Sequence, residues 1–194
     1  MSARAPPPGV AHVERAFDEA FCAMLDDARD AAPVSLTSGM MLANRRFVRD
    51  GALARAVADA MPRALGVEWV SADMRFIDYD GGSGGFIRSH VDGVGVCPER
   101  GETTNASMLL YLTTTPEDDG GTTDFLESVE DEDSVVYSVR PRRGAVVVFP
   151  HDAAHVGRCV GRAGKIVLRG DCRRSARAMD AAIGVARSTI SSHK

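Results

Sequence analysis

The chain has 194 residues, of which 44% are hydrophobic and 26% charged, with a formal net charge of -4 at pH 7. This composition is typical of one soluble globular domain, and it excludes a wholly disordered chain and a strongly basic protein that coats nucleic acid. No stretch reaches the roughly 18 consecutive apolar residues of a membrane span. Cys22, Cys97, Cys159 and Cys172 include no C-x-x-C pair. We therefore expect free thiols, no thiolate zinc site and an intracellular, cytoplasmic location.

The order of the predicted elements indicates a single domain. We expect a flexible N-terminal lead over residues 1–10, one folded domain over residues 11–174 and a C-terminal tail over residues 175–194. Helices are predicted within residues 11–65 and strands within residues 70–174. The lead contains three consecutive prolines and no apolar segment typical of a secretory signal.

Two amphipathic helices are predicted before the strands. Apolar residues recur at helical spacing over residues 13–31 and again over residues 51–65. Asp50 is a suitable N-cap for the second helix, and Pro62 is expected to kink or end it. A short helix is also expected in the tail, over residues 178–186.

After Trp69 the chain consists of short segments that are rich in β-branched residues and separated by glycine or acidic turns. Several such strands in succession are typical of a β-sandwich or jelly roll. The predicted fold is therefore mostly β with flanking helices: a double-stranded β-helix (a cupin-like jelly roll) with both helices packed on one outer sheet face. The predicted strands are residues 73–79, 85–91, 106–113, 122–126, 135–140, 145–149, 155–160 and 165–172.

Charge is segregated in the second half of the chain. Residues 117–133 contain nine acidic residues and no basic one, whereas residues 140–177 contain ten basic residues and two acidic ones. We interpret the acidic segment as a solvated, mobile loop, with a lid or a docking surface for a basic partner as the alternative.

Two histidine motifs in the strand-rich half could form a metal site. His90 and Asp92 are two residues apart on a predicted strand, so their side chains share one face. His151 and His155 lie at the start of another strand, about 65 residues downstream. One of them would complete a two-histidine, one-carboxylate triad, which suits non-haem Fe(II) because it leaves positions open for a cosubstrate and dioxygen. Zinc is the alternative metal.

Lysine is rare in this chain, since Lys165 and Lys194 are the two lysines among 23 basic residues. Lys165 follows His155 by ten residues and falls on the next predicted strand, where a cation could bind the far carboxylate of a ligand. A buried lysine without an anion is costly, so burial of Lys165 would imply an anionic partner. Arg169 has the same strand parity and is the alternative cation.

The ordered motifs between residues 42 and 173 resemble those of Fe(II)- and 2-oxoglutarate-dependent dioxygenases of the prolyl 4-hydroxylase-like group. The shared pattern is a His-x-Asp motif, a long gap, a histidine, and a lysine or arginine about ten residues later. Further matching segments, in chain order, are residues 74–79, 86–90, 109–112, 120–125 and 139–145.

The resemblance implies a role for each matching residue. His90, Asp92 and His155 would be the catalytic iron ligands. Lys165 would bind the C5 carboxylate of the cosubstrate 2-oxoglutarate, and Tyr79 would donate a hydrogen bond to the same molecule. The resemblance also implies dioxygen as the second cosubstrate, with ascorbate as a supporting reductant.

Other side chains near these motifs are left with two interpretations. His151 competes with His155 for the third ligand position, and the spacing to the next cation favours His155. Arg75 and Arg88 share strand parity with site residues, so each could face the cavity or lie on a solvated rim. Cys159 could line the pocket or pack in the core.

The implied activity is hydroxylation of a substrate, coupled to oxidative decarboxylation of 2-oxoglutarate to succinate and CO2. A protein or peptide, hydroxylated at proline, is the first candidate substrate. The alternatives are the same chemistry on a small molecule or on alkylated nucleic acid, and a non-catalytic jelly-roll binding module. Few aromatic residues lie near the motifs, which argues against base recognition, so we expect neither a nucleic-acid partner nor a membrane partner.

Overall fold

Two antiparallel sheets face each other in the computed structural model, which describes residues 5–35 and 42–179. The strands are β1 (Ala11–Val13), β2 (Val34–Ser35), β3 (Asn44–Arg49), β4 (Val67–Tyr79), β5 (Ile87–His90), β6 (Val96–Cys97), β7 (Glu102–Thr103), β8 (Ala106–Tyr111), β9 (Thr123–Ser128), β10 (Asp131–Val139), β11 (Val146–Pro150), β12 (His155–Gly157) and β13 (Lys165–Arg174). The helices are α1 (Glu19–Ala31), α2 (Gly51–Ala60) and α3 (Ala176–Met179), with a 3-10 turn at Arg63–Leu65.

The larger sheet has seven strands in the order β1-β11-β8-β13-β4-β3-β2, and the smaller sheet has four in the order β10-β9-β12-β5. β6 and β7 form a separate two-stranded pair. Together the two main sheets form the predicted jelly roll.

Alternate residues of the larger sheet pack into two different cores, as the period of a strand requires. Phe76 and Leu168 point outward and pack with the apolar faces of α1 and α2. Ile77 and Val167 point inward, into a core that also contains Phe125 of the smaller sheet. Both helices therefore cover one outer sheet face, as predicted, and the space between the sheets is left for the site.

The helix boundaries follow from their caps. The carboxylate of Asp50 accepts hydrogen bonds from the backbone N–H groups of Ala52 and Leu53, which confirms it as the N-cap of α2. α2 ends at Ala60, just before Pro62, and is shorter than predicted. α1 begins at Glu19 because Asp18 caps it, and the predicted helical start at residue 13 is wrong because residues 11–13 pair with β11 as β1.

Three further sequence expectations differ from the structure. The last residues of the expected flexible lead are packed, since Gly9 and Val10 are buried, whereas Ala5 and Pro8 are exposed. Half of the acidic segment forms the β9–β10 hairpin instead of a loop, because Arg158 pairs with Asp124 and Glu132 and so neutralises part of its charge. The predicted tail helix begins earlier, as α3, and its remainder lies outside the described residues.

Arg174 joins the two ends of the chain to the body of the domain. Its side chain is 1% exposed. The guanidinium donates to the carbonyl oxygens of Leu65 (2.9 Å), Gly9 (2.6 Å) and Ala178 (2.9 Å). These three carbonyls belong to the 3-10 turn, the N-terminal segment and α3, so one buried cation replaces water for all of them.

We expect Arg174→Met to lower the free energy of unfolding by about 3 kcal/mol, because three buried carbonyls lose charged donors. Urea denaturation measures this change. Arg173→Met is the matched control, since Arg173 makes one exposed contact with the carbonyl of Thr103; we expect it to change stability by less than about 0.5 kcal/mol. Equal losses in the two variants would contradict the structural role of Arg174.

Candidate active site

The pairing of β5 with β12 places the two predicted metal-binding histidines side by side. His90 and His155 are partners in the register, and their ring centroids are 4.2 Å apart. Asp92 follows β5 by two residues, and its backbone N–H donates to the carbonyl of His151 at 2.8 Å. Potential ligand atoms of His90, Asp92 and His155 all lie within 4.8 Å of one another. The three residues proposed from the sequence therefore meet at one point.

Each imidazole is held by the carbonyl two residues before it. Nδ1 of His90 is 2.8 Å from the carbonyl oxygen of Arg88, and Nδ1 of His155 is 2.9 Å from that of Ala153. A carbonyl oxygen can only accept, so Nδ1 carries the proton in both rings. Both Nε2 lone pairs are then free to bind a metal.

The charge states of two of these groups also suit a cation. Burial lowers the pKa of His155 to about 4, so its imidazole is neutral at physiological pH. Burial alone would raise the pKa of Asp92, but the positive charge of Arg169 and a hydrogen bond from Ser107 outweigh it and hold the pKa at about 2. The site thus offers a neutral imidazole and an ionised carboxylate.

A polar network behind Asp92 contains residues that the sequence did not identify. Ser107 donates to Oδ2 of Asp92 at 2.6 Å and lies 2.9 Å from Nδ1 of His151. Nε2 of His151 is 2.8 Å from the hydroxyl of Thr104. The structure therefore places His151 behind Asp92 and outside the ligand cluster. Ser107 and Thr104 were missed; the one available signal was a serine inside the apolar strand β8.

Arg169 lies beside Asp92 and not beside Lys165. Its Nη2 atom is 3.2 Å from Oδ1 of Asp92 and 2.8 Å from Oδ1 of Asp171. The expectation that Arg169 could replace Lys165 as the cation for a distant carboxylate is therefore wrong, because its charge is already used at the metal-ligand cluster.

Lys165 is buried, which is the condition under which the sequence implies an anionic partner. It is 1% exposed, and its ammonium donates to the carbonyl of Gly121 at 3.0 Å and to the hydroxyl of Thr123 at 3.3 Å. Within the described ranges, no carboxylate lies at ion-pair distance from this ammonium, and burial lowers its pKa to about 7. A buried cation without a counter-ion favours the binding of an anion.

Tyr79 forms the floor under this ammonium. It is the register partner of Lys165, whose Nζ lies 4.3 Å from the centre of the Tyr79 ring, at cation–π distance. A Cβ on Gly157 would lie 2.8 Å from the Tyr79 hydroxyl, so a glycine is needed there for the phenol to fit. Gly121, which supplies a carbonyl to Lys165, has a φ of 75° that favours glycine. Neither glycine could be given a role from the sequence.

The three remaining candidates from the sequence differ in whether they face the cavity. Arg75 is half-buried on the inner face of the larger sheet, opposite Arg169, so it faces the cavity. Arg88 is exposed and reaches the site through its carbonyl alone. Cys159 is also exposed, with its thiol 3.2 Å from the carbonyl of Gly84. It therefore belongs neither to the core nor to the ligand cluster.

The donor set fits a divalent metal with open coordination positions. Two imidazole nitrogens and one carboxylate are the ligands that non-haem Fe(II) takes when it must also bind a cosubstrate and dioxygen. The buried ammonium of Lys165 fits the second anionic group of a diacid cosubstrate.

We expect Ser107→Ala to lower the affinity for Mn(II) or Fe(II) by about tenfold, because Asp92 loses the hydrogen bond that orients its carboxylate. Metal titration by calorimetry measures this change. Ser83→Ala is the matched control, since Ser83 also donates to an aspartate, Asp80, but on the surface. An unchanged affinity in Ser107→Ala would show that Asp92 needs no such support.

Solved structures with the same fold include prolyl hydroxylases and a protein that has a small molecule bound. The chain is similar to a prolyl-4-hydroxylase from Pseudomonas putida, with 21% identity and a TM-score of 0.63 over 87% of this chain and 94% of that one. A prolyl hydroxylase from Trichoplax adhaerens, in complex with a hypoxia inducible factor oxygen degradation domain peptide fragment, has 12% identity and a TM-score of 0.60, over 87% and 84% of the two chains.

A third similar structure is HygX from Streptomyces hygroscopicus, with nickel, 2-oxoglutarate and hygromycin B bound. It has 10% identity and a TM-score of 0.58, over 93% of each chain. At such identities these likenesses establish the fold and not the substrate. No curated protein is similar enough to the chain to count as a match.

A family model supplies the assignment that the solved structures alone do not. Residues 74–175, more than half of the chain, match the model described as the 2OG-Fe(II) oxygenase superfamily. This range contains the ligand cluster, Lys165 and Tyr79. The chain therefore belongs to the 2OG-Fe(II) oxygenase superfamily and is an Fe(II)- and 2-oxoglutarate-dependent dioxygenase.

Proposed function

We propose that this dioxygenase hydroxylates a prolyl residue of a protein or peptide. In this proposal His90, Asp92 and His155 are the iron ligands, and Lys165 holds the C5 carboxylate of 2-oxoglutarate above Tyr79. One observation carries the assignment of the residues: a cluster of two imidazoles and a carboxylate is accompanied by a buried ammonium that has no carboxylate partner among the described residues.

The protein's own part in the reaction is to hold and orient. When bound, Fe(II), dioxygen and 2-oxoglutarate supply the oxidising chemistry that yields succinate, CO2 and a hydroxylated product. Arg169 and Ser107 keep Asp92 ionised and fix its orientation. Phe125 and Phe149 pack against His155, with ring centroids 6.1 and 4.8 Å from it. They keep water away from the inner side of the centre, where a low dielectric strengthens charge-assisted contacts.

The shape of the site supports a chain-like substrate. The side chain of His90 is 26% exposed, so the metal-ligand cluster opens to solvent on the β5 side. Val91, Val94 and Val96 follow it, and all three are exposed. An open site with an apolar rim suits an extended peptide. Two of the three similar structures described above are prolyl hydroxylases, which supports the choice of proline by fold-level analogy.

The other hypotheses are less well supported. Enzymes that read a base stack it on aromatic side chains, whereas Phe47 is the one aromatic residue among the large exposed hydrophobics of the described ranges. A binding module would need no complete donor set. No helix of the described residues is long and apolar enough to cross a membrane. The cytoplasmic location stays a prediction from the cysteine pattern.

With Fe(II), 2-oxoglutarate, ascorbate and a proline-containing peptide, we expect the wild-type protein to form succinate and hydroxyproline. His90→Ala should lose about 100-fold or more of this activity, because one of three ligands is removed. Succinate assays and peptide mass spectrometry measure the two products. Ser89→Ala, a change on the opposite face of β5, is the control and should remain active. Succinate formed without any hydroxylated peptide would contradict the proposed substrate.

We expect the affinity for 2-oxoglutarate to fall as the pH rises above about 7. The pKa of Lys165 is about 7 in the ligand-free protein, and a bound carboxylate raises it. Below pH 7 the lysine is already charged, so the affinity for 2-oxoglutarate does not change with pH. Above pH 7 the lysine must take up a proton when 2-oxoglutarate binds, so the affinity falls by up to about tenfold per pH unit. Calorimetry on the Mn(II)-loaded protein measures the trend.

Lys165→Arg is the control for this pH dependence, because an arginine keeps its charge over the same range. We expect its affinity for 2-oxoglutarate to be nearly independent of pH. A level affinity in the wild-type protein would show that Lys165 does not hold the cosubstrate.

A further inference from the structure

Three arginines share the inner face of the larger sheet. Arg75 on β4 lies directly opposite Arg169 on β13, and Arg45 on β3 is diagonal to Arg75 on the same face. Directly opposed Cβ atoms in a sheet are about 5 Å apart. We call these three residues the arginine cluster. Like charges directly opposite each other destabilise a sheet, so their presence indicates that the positive charge binds a ligand.

Arg169 uses its Nη2 atom on Asp92 and Asp171, but part of the hydrogen-bonding capacity of the arginine cluster is not used within the described residues. The Nε atoms of Arg45, Arg75 and Arg169 are buried, and none has a hydrogen-bond partner there. Burial and the neighbouring guanidinium of Arg169 lower the pKa of Arg75 to about 10, which leaves it charged at neutral pH. A buried, charged donor without an acceptor is costly unless a ligand supplies one.

The site stays positively charged even when the cosubstrate and metal are counted. The arginine cluster and Lys165 contribute four positive charges, and Asp92 and Asp171 contribute two negative ones. The two charges of Fe(II) and the two of 2-oxoglutarate cancel each other. Two positive charges remain, which an anionic substrate would complement.

Within the arginine cluster, Arg169 is the residue set apart from Lys165 along β13. Arg169 and Lys165 are four residues apart on β13, which corresponds to roughly 13 Å along a strand. Arg45 and Arg75 lie nearer to the cosubstrate site, since their positive charges oppose the rise that burial causes in the pKa of Tyr79. The test must therefore separate a substrate carboxylate from the cosubstrate.

Two of the three arginines, Arg75 and Arg169, line a groove beside the metal-ligand cluster. It has a volume of about 370 Å³ and is lined by Phe47, Arg75, Arg169 and Asp171 among others. Phe47 is 52% exposed at its edge and offers an apolar surface beside the cations. The groove touches the metal-ligand cluster through Arg169, which lies 3.2 Å from Asp92. A molecule in the groove would therefore lie next to the reacting centre.

We propose that the arginine cluster binds a carboxylate of the substrate. The inference rests on the proposed function and adds the charge of the substrate to it. A planar guanidinium binds a carboxylate through two parallel hydrogen bonds, which suits the free Nε atoms. The carboxylate is an Asp or Glu side chain next to the hydroxylated proline of a peptide, or the α-carboxylate of a free amino acid.

The test compares matched ligands on protein loaded with Mn(II) and N-oxalylglycine, an unreactive analogue of 2-oxoglutarate. The probes are acetylated, amidated Ala-Ala-Pro-Ala-Ala peptides with Glu or Gln at one flanking position, and L-proline with L-prolinamide. We expect a Glu peptide to bind about tenfold more tightly than its Gln counterpart. Arg75→Gln should remove most of this preference, and Arg75→Lys should keep part of it.

Arg55→Gln, an exposed change on α2, is the control and should keep the full preference. L-proline that binds while L-prolinamide does not supports the carboxylate site, assigns it to a free amino acid and contradicts the peptide substrate of the proposed function. Equal binding of acidic and neutral probes by the wild-type protein would overturn the inference. So would a weaker affinity of Arg75→Gln for N-oxalylglycine, because the guanidinium would then belong to the cosubstrate. Wild-type protein that forms no succinate with Fe(II) would instead contradict the proposed function. The binding comparison needs no turnover, so it would still test the inference.

Discussion

The antiparallel register between β5 and β12 is the constraint on which the site depends. It sets His90 opposite His155, and β9 fixes β12 from its other side by pairing Phe125 with His155. Because side chains alternate along a strand, a slip of one residue would turn one imidazole to the other face of the sheet. Asp92 joins the histidines because the chain leaves β5 directly after His90.

The two sheets make different contributions to the chemistry. The smaller sheet supplies the metal ligands, and the inner face of the larger sheet supplies the positive charge, from Lys165 at one end to Arg169 at the other. Both cations lie on β13. Alternate residues of this strand point inward to the site, and the apolar residues between them point outward to the helices. One strand thus places a cation for the cosubstrate and a cation that keeps Asp92 ionised.

Much of this site could be predicted because its residues follow local rules. His90 and Asp92 share a strand face by their spacing, and Lys165 stands out as the one internal lysine. The contacts of Ser107 with Asp92 and His151 could not be predicted, since they join positions 15 and 44 residues apart in the chain. Such contacts depend on the sheet order, which one sequence does not reveal.

One boundary and one strand were not predicted correctly, and at the boundary tertiary pairing outweighed local preference. Residues 11–13 continue a helical pattern of apolar residues, but the edge of β11 takes them into the larger sheet. No strand was predicted over residues 44–49, between the two predicted helices, where β3 lies. In the structure, Arg46 pairs with Asp78 while Arg45 points inward toward the site.

The most direct test of the account is anomalous diffraction from crystals grown with Mn(II) and 2-oxoglutarate. The account predicts one anomalous peak between Nε2 of His90, the carboxylate of Asp92 and Nε2 of His155, with the C5 carboxylate of 2-oxoglutarate on the ammonium of Lys165. A metal bound elsewhere, or a C5 carboxylate held by the arginine cluster with Lys165 unoccupied, would contradict it.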